Sequence, residues 1–288
     1  TSYDITKPPQ FARVKYNKLC PLVITSDDMG SCELNRNWAY FNGYPVFDSK
    51  DAGHIPTGED FLESPYNPSA LAIQNQQLKR DSHQPLTYTD GTGGLRRFTA
   101  TSAIWPHQTG SNYTLLTKND PIIMVRTRWS FAQHDVDAAY AGDASSIAGR
   151  FKALSEMWEE LTGIGLKVMV EPNGSHKYID AGKMSDEICW NIFQNGTAEY
   201  PEVSDVMIDD WTTGKDWTTF EEKPAETTRR IFFQGNEQAW KDAITKADGT
   251  KILLGGTHGI GNDILLFMKD NVQPTDKYWV AGADEVWE

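Results

Sequence analysis

Short apolar runs that end in small polar and acidic residues recur along the chain, separated by stretches with helical spacing. The first run, Leu22 to Ile24, leads into Thr25-Ser26-Asp27-Asp28-Met29-Gly30. If Leu22 to Ser26 is a buried strand, Asp27 and Asp28 stand at its C-terminal end. That is where parallel α/β sheets and barrels place their chemistry. Successive side chains of a strand point to opposite faces, so two productive carboxylates need the chain to twist there, and Met29-Gly30 permits it.

Downstream, Cys32 to Phe41 has helix-compatible spacing and stops at Asn42-Gly43-Tyr44-Pro45. Arg97 to Trp105 and Ile122 to Trp129 read as strands. The second of these leads toward His134-Asp135. Ile147, Phe151, Leu154, Trp158 and Leu161 repeat at three and four, predicting a helix over 147–161. Leu166 to Val170 is then a strand entering Glu171-Pro172-Asn173-Gly174, and Ala181 to Phe193 a further helix. Val206 to Ile208 ends at Asp209-Asp210-Trp211. Residues 236–247 read as helix, and Lys251 to Leu254 as a strand ending at Gly255-Gly256-Thr257-His258. Asp263 to Asp270 is a last helix candidate, and residues 279–288 a closing strand and helix.

The alternation of strand, polar cluster and helix predicts a parallel sheet or barrel of βα units in one domain over 1–288. Residues 1–19 form an extended lead. Residues 48–94, rich in Gly, Pro, Asn, Asp and Ser, are an insertion with short local structure of its own.

Composition narrows the partners. A net charge of −13 over 288 residues argues against nucleic acid and anionic membranes, and no stretch is long and apolar enough for a membrane span. Ten Trp, eleven Tyr and twelve Phe make the chain aromatic-rich; aromatic faces suit sugar rings, and most of these residues read as core. Trp38, Trp105, Trp129, Trp211 and Trp217 fall near strand ends or loops, whereas Trp158, Trp190 and Trp240 read as core. Cys20, Cys32 and Cys189 have no metal-ligand spacing and allow at most one disulfide; all three read as reduced packing residues. The first residue is Thr1 rather than Met, as in a processed or trimmed product.

Four strand ends thus carry Asp27-Asp28, His134-Asp135, Asp209-Asp210 and His258. His and carboxylate side chains converging at one rim suit a divalent cation and hydrolysis. In order and spacing these segments resemble the NodB-like polysaccharide deacetylases, carbohydrate esterase family 4. Thr25-Ser26-Asp27-Asp28 is similar to that family's Thr-Phe-Asp-Asp. Residues 129–134 are similar to the segment leading to its first motif histidine. Val170-Glu171-Pro172-Asn173-Gly174 stands for Arg-x-Pro-x-Gly, Asp209-Asp210-Trp211 for the Asp/Trp motif, and Gly256-Thr257-His258 for Leu-x-His. Four positions depart: Ala138 where the second motif histidine belongs, Val170 where the family has an Arg that helps orient the base, Gly256 where Leu is usual, and Ser26 where the first motif has Phe.

The resemblance implies a distorted (β/α) barrel and deacetylation of an N- or O-acetylated oligo- or polysaccharide. Asp27 is then the general base, His258 the general acid, and Asp28 and His134 ligands of a divalent metal. That metal is zinc first, with nickel, cobalt or manganese as alternatives. The third ligand is His107, His176 or Asp135, while His54 and His83 read as solvated. Asp210 and Trp211 would support His258 and wall the acetyl pocket, Pro172 and Gly174 would also face the substrate, and a secreted, periplasmic or cell-surface location follows. An inactive relative that binds glycan is the alternative. A barrel glycoside hydrolase using Glu171 with Asp209 or Asp210 ranks third.

Overall fold

The computed structural model of the chain describes residues 14–28, 37–44, 83–104, 119–134, 142–172, 174–194 and 226–288. Its main sheet is all parallel. β1 (Cys20–Ser26) lies at the centre, β4 (Thr101–Ile104) on one side and β10 (Leu253–Thr257) on the other. Beyond β4 come β5 (Ser130–Gln133), β6 (Val168–Val170), β7 (Trp190–Phe193) and β8 (Glu226–Arg229), and beyond β10 comes β9 (Ile231–Phe232). β11 (Tyr278–Val280) pairs with the start of β1. β2 (Thr87–Thr89) and β3 (Leu95–Arg97) form a separate antiparallel hairpin.

β8 and β9, the two ends of the sheet, are successive pieces of one segment split only at Arg230. One piece pairs with β7 and the other with β10, so the sheet curls into a nearly closed barrel. β1 is buried at every position, as expected of a parallel strand covered on both faces.

The helices cover the outside. In chain order they are α1 (Ala39–Phe41), α2 (Asn119–Arg126), α3 (Ala144–Thr162), α4 (His176–Met184), α5 (Glu237–Thr245), α6 (Asn262–Phe267) and α7 (Ala283–Trp287). α3 is the helix that spacing predicts. The Asp143 carboxylate accepts the Ser146 N–H at 2.9 Å as its N-cap, and Gly163 ends it with φ 81°. A left-handed C-terminal residue of this kind favours glycine because a Cβ is disfavoured there.

Several expectations change. Ile122 to Arg126 belongs to helix α2 rather than a strand, and the strand begins at Ser130. An apolar run this short carries no period of its own, and Pro121 near its start suits a first helical turn. The segment 181–193 is half helix and half strand: α4 ends at Met184, and buried Ile188, Trp190 and Ile192 alternate into β7. Residues 97–104 hold the last residue of β3 and the whole of β4, not one continuous strand. Gly255 and Gly256 lie within β10, not after it.

Trp158, Trp190 and Trp240 are core, as expected, but so are Trp38 and Trp129, each 1% exposed. These two rings fill the barrel–helix interface and are closed to sugars. Trp105, Trp211 and Trp217 lie outside the described residues, as do Cys32 to Arg36, His54 and the segment 206–211. His83 packs its ring on Tyr40, with centroids 4.4 Å apart. Cys20 and Cys189 are free thiols. Among the described residues no helix is long and apolar enough to cross a membrane.

Candidate active site at the C-terminal rim of the barrel

Thr25 near the end of β1 and Asp27 just after it, two residues apart, share the barrel-facing side. Asp27 is 4% exposed, and both its oxygens are held by one guanidinium. Arg230 Nη1 donates to Oδ1 at 2.6 Å and Nη2 to Oδ2 at 2.5 Å. Nη1 also donates to Thr25 Oγ1 at 2.7 Å, and that hydroxyl donates to Gly255 O at 3.0 Å. A two-pronged arginine–carboxylate contact fixes orientation as well as charge.

The twist needed to turn the second carboxylate inward falls on Asp28 itself, at φ 53°, while Met29 and Gly30 lie outside the described residues. Aspartate is one of the few non-glycine residues that enters this region with any frequency. So placed, Asp28 faces two imidazoles: His134 Nε2 is 3.4 Å from Oδ1 and His258 Nε2 is 3.5 Å from Oδ2. Hydrogen bonding from His134 is the largest influence on Asp28; with the positive groups around it, it outweighs burial and holds the carboxyl below its ordinary range.

His134 follows β5 and is buried. Its Nδ1 lies 2.9 Å from Val170 O. A carbonyl can only accept, so Nδ1 carries the hydrogen and Nε2 is turned to Asp28. Burial opposes its charged form, but the Asp27 charge and the bond to Asp28 prevail, and its pKa is raised. His258, half exposed after β10, has Nδ1 2.6 Å from Gln234 Oε1. Gly259 N–H donates to Ser26 Oγ at 3.0 Å, tying the His258 loop to β1.

Glu171 follows β6 and is 1% exposed. Its Oε1 accepts the Ser175 N–H, and Oε2 has no hydrogen-bond partner among the described residues. Burial pushes this carboxyl above its ordinary range. Pro172 and Gly174 form the turn that follows, with Gly174 at φ 70°.

The structure therefore brings Asp27, Asp28, His134 and His258 to one rim. His176 does not join them: it opens α4 and packs on Phe193, centroids 5.6 Å apart. His107, Asp135, Asp209, Asp210 and Trp211 lie outside the described residues.

Sequence reasoning missed Arg230 and Gln234. Arg230 brings to Asp27 a guanidinium that Val170 does not supply, reaching it from the segment between β8 and β9 instead of from β6. Gly256 accounts for the third departure. A Cβ there would stand 2.6–2.8 Å from the Arg230 side chain, so a leucine at 256 would displace this arginine from its place against Asp27. The signal was the β-branched and aromatic run Thr227 to Phe233, which fits a strand.

A metal needs more than the described residues provide. Asp28 and His134 have the right chemistry, since a ligating imidazole characteristically anchors its other nitrogen on a carbonyl. Yet among the described residues no group of three His, Cys, Asp or Glu is disposed to hold an ion, and three protein donors are usual at a catalytic site.

A parallel βα barrel with carboxylates and imidazoles at its C-terminal rim defines a class of hydrolase-like barrels. Within it, residues 4–287 match the family described as "Putative polysaccharide deacetylase", and the chain belongs to that family. No curated protein matches the chain. Solved structures similar to it include a polysaccharide deacetylase-type protein from Mycobacterium smegmatis, at 11% identity and TM-score 0.44, covering 94% of this chain and 89% of that one. A CE4-family pseudoenzyme from Bacillus anthracis is 10% identical with TM-score 0.44, covering 95% and 66%. The CE4 domain of a multidomain xylanase from the hindgut metagenome of Trinervitermes trinervoides is 13% identical with TM-score 0.42, covering 93% and 89%.

Proposed function

We propose that the chain hydrolyses acetyl groups from an acetylated oligo- or polysaccharide. The observation that supports this reading is the meeting at one rim of an arginine-clamped Asp27 with an Asp28 that faces both His134 and His258. Asp27 accepts a proton from the attacking water as general base. The water oxygen bonds to the acetyl carbon, and the bond from that carbon to the sugar nitrogen or oxygen breaks. His258 Nε2 gives its proton to the departing amine or alcohol, leaving acetate.

The family generally uses a divalent metal. Here Asp28 and His134 would be two of its donors, with a third from His107 or Asp135, and zinc is the first candidate. Such an ion supplies an acidified water and a polarised carbonyl. Asp210, Trp211, Pro172 and Gly174 would line the acetyl pocket. A glycan substrate accords with secretion, the periplasm or the cell surface.

Acetate release from a panel of acetylated oligosaccharides, with and without added zinc, nickel, cobalt or manganese, tests the reading. Wild type should release acetate and Asp27→Asn should not. Release by Asp27→Asn at the wild-type rate would remove Asp27 as base. The second reading, a glycan-binding relative without activity, is favoured by the incomplete donor set among the described residues. It predicts glycan affinity that survives both chelator and Asp27→Asn, with no acetate released in any condition.

A further inference from the structure

The segment that closes the barrel carries more of the site than any of the motifs announces. Arg230, Phe232 and Gln234 are alternate residues, and all three turn to the rim. Phe233, between them, stacks instead on Trp240 of α5, with centroids 5.4 Å apart and planes 7° from parallel. Arg230 grips Asp27. The Phe232 ring stands edge-on to the His258 imidazole at 5.2 Å, and the Arg230 guanidinium lies 5.4 Å from the same ring. Gln234 Oε1 receives the His258 backbone N–H at 3.2 Å and lies 2.6 Å from the ring Nδ1.

Those two contacts to one atom decide the imidazole tautomer. The backbone N–H can only donate, so the glutamine atom beside it is the oxygen and not the amide nitrogen. An oxygen that only accepts then requires the hydrogen on Nδ1. Nε2 is left as the nitrogen that exchanges a proton, and it faces Asp28 Oδ2 at 3.5 Å. One hydrogen bond at the ring, a second at the backbone of the same residue and a ring edge hold this half-exposed side chain in one orientation.

We infer that Gln234 is a positioning residue that fixes His258 as its Nδ1–H tautomer and aims Nε2 into the cleft, while Arg230, at the other end of the short segment that contains β9, orients Asp27. The segment that closes the barrel thus sets both members of the acid–base pair and their separation. This rests on His258 serving as the acid of the proposed deacetylation, but the tautomer can be read without any substrate.

The experiment is ¹⁵N NMR of the histidine rings in the full chain, followed upward in pH until the ring shifts stop changing, with His258 assigned by its loss in His258→Ala. Wild type should show Nδ1 protonated and Nε2 bare. Gln234→Leu should move the hydrogen to Nε2, the tautomer free histidine favours. Gln234→Glu, which keeps an acceptor oxygen, should keep the wild-type pattern. Gln234 is exposed, so the variants should fold, and an unchanged melting temperature checks this. A wild-type His258 with its hydrogen on Nε2, or a Gln234→Leu spectrum like wild type, overturns the inference. With an acetylated substrate in hand, Gln234→Leu should lower kcat on the order of 10–100-fold with KM little changed. If wild type releases no acetate, the deacetylase reading falls, and the tautomer result still stands or fails on its own.

Discussion

Two aspartates with left-handed backbone stand near opposite ends of β1, Asp28 at φ 53° and Asp276 at φ 51°, and they are used differently. Asp276 is satisfied at both oxygens. Lys18 Nζ donates to its Oδ1 at 2.7 Å, and the Thr89 N–H donates to the same oxygen at 2.8 Å. The Thr89 hydroxyl donates to Oδ2. Lys18 also reaches the Asp276 carbonyl at 2.9 Å. The result staples the β2–β3 hairpin to the entrances of β1 and β11. Asp28 has a similar side-chain exposure, 48% against 41%, but its nearest imidazole nitrogens are 3.4 and 3.5 Å away, longer than an ordinary N–H···O contact. The staple is closed with its own donors, whereas the rim leaves a carboxylate between two rings with room to rearrange. Donor distance, more than residue type or backbone conformation, separates a structural carboxylate from a receptive one.

The largest effect should come from the rim's buried partner pair. Arg230 and Asp27 have side chains 1% and 3% exposed. Arg230→Ala leaves an uncompensated buried carboxylate and should cost about 3–5 kcal/mol of stability, read from urea denaturation. Lys18→Ala, at the staple, should cost about 1–3 kcal/mol, because the carboxylate it deserts is part-exposed and keeps its Thr89 bonds. A loss at Arg230 no greater than at Lys18 would mean that Asp27 is not held as a desolvated ion pair.

The contrast between Arg230 and Asp27 also shows what the sequence could and could not disclose. β1 was legible because one apolar run and its polar end are local, and α3 because five apolar residues repeat over four turns. His134 and His258 could be placed at a rim on the same grounds. Arg230 and Gln234 could not, since their roles depend on a barrel closing between β7 and β10, a long-range event that leaves no local period. The glycine at 256 looked like a lapse in a motif until the arginine crossing it was seen. α2 was misread for a different reason: Ile122 to Val125 is apolar on all sides, and four such residues fit a buried strand as well as a helical turn. The 181–193 segment failed at a boundary, where a helix gives way to a strand within a run of mixed polarity.

A charge-only exchange sharpens the comparison at intermediate size. Asparagine tolerates the same left-handed backbone, so Asp→Asn at each position removes charge without adding strain. Asp276→Asn should destabilise the fold by about 1–2 kcal/mol through its charged hydrogen bonds and leave acetate release unchanged. Asp28→Asn should cost less stability than that, as expected where partners are more distant, and abolish acetate release. Equal losses of stability at the two sites would show that the rim is a second staple.

The smallest effect is a difference in pH dependence. At Asp276, burial raises the carboxyl and the Lys18 and Thr89 bonds more than reverse it, so its pKa is lowered. Asp28 is lowered too. A depressed carboxyl contributes stability that is present above its unfolded pKa and lost as pH falls through the folded one. Both aspartates should therefore lose their contributions in acid, below the ordinary value of 3.8. His134, raised despite its burial, works in the other direction: its contribution is complete below 6.5 and lost as pH rises through the folded value. Because Asp28 is one of the groups that raise it, part of what Asp28 contributes should fade on the alkaline side as well. Urea midpoints of wild type, Asp28→Asn and Asp276→Asn between about pH 5 and 9 make this visible. The gap between wild type and Asp28→Asn should narrow as pH rises, while the gap to Asp276→Asn stays level. If both gaps stay level, His134 is not coupled to Asp28, and the 3.4 Å approach has no bearing on its protonation.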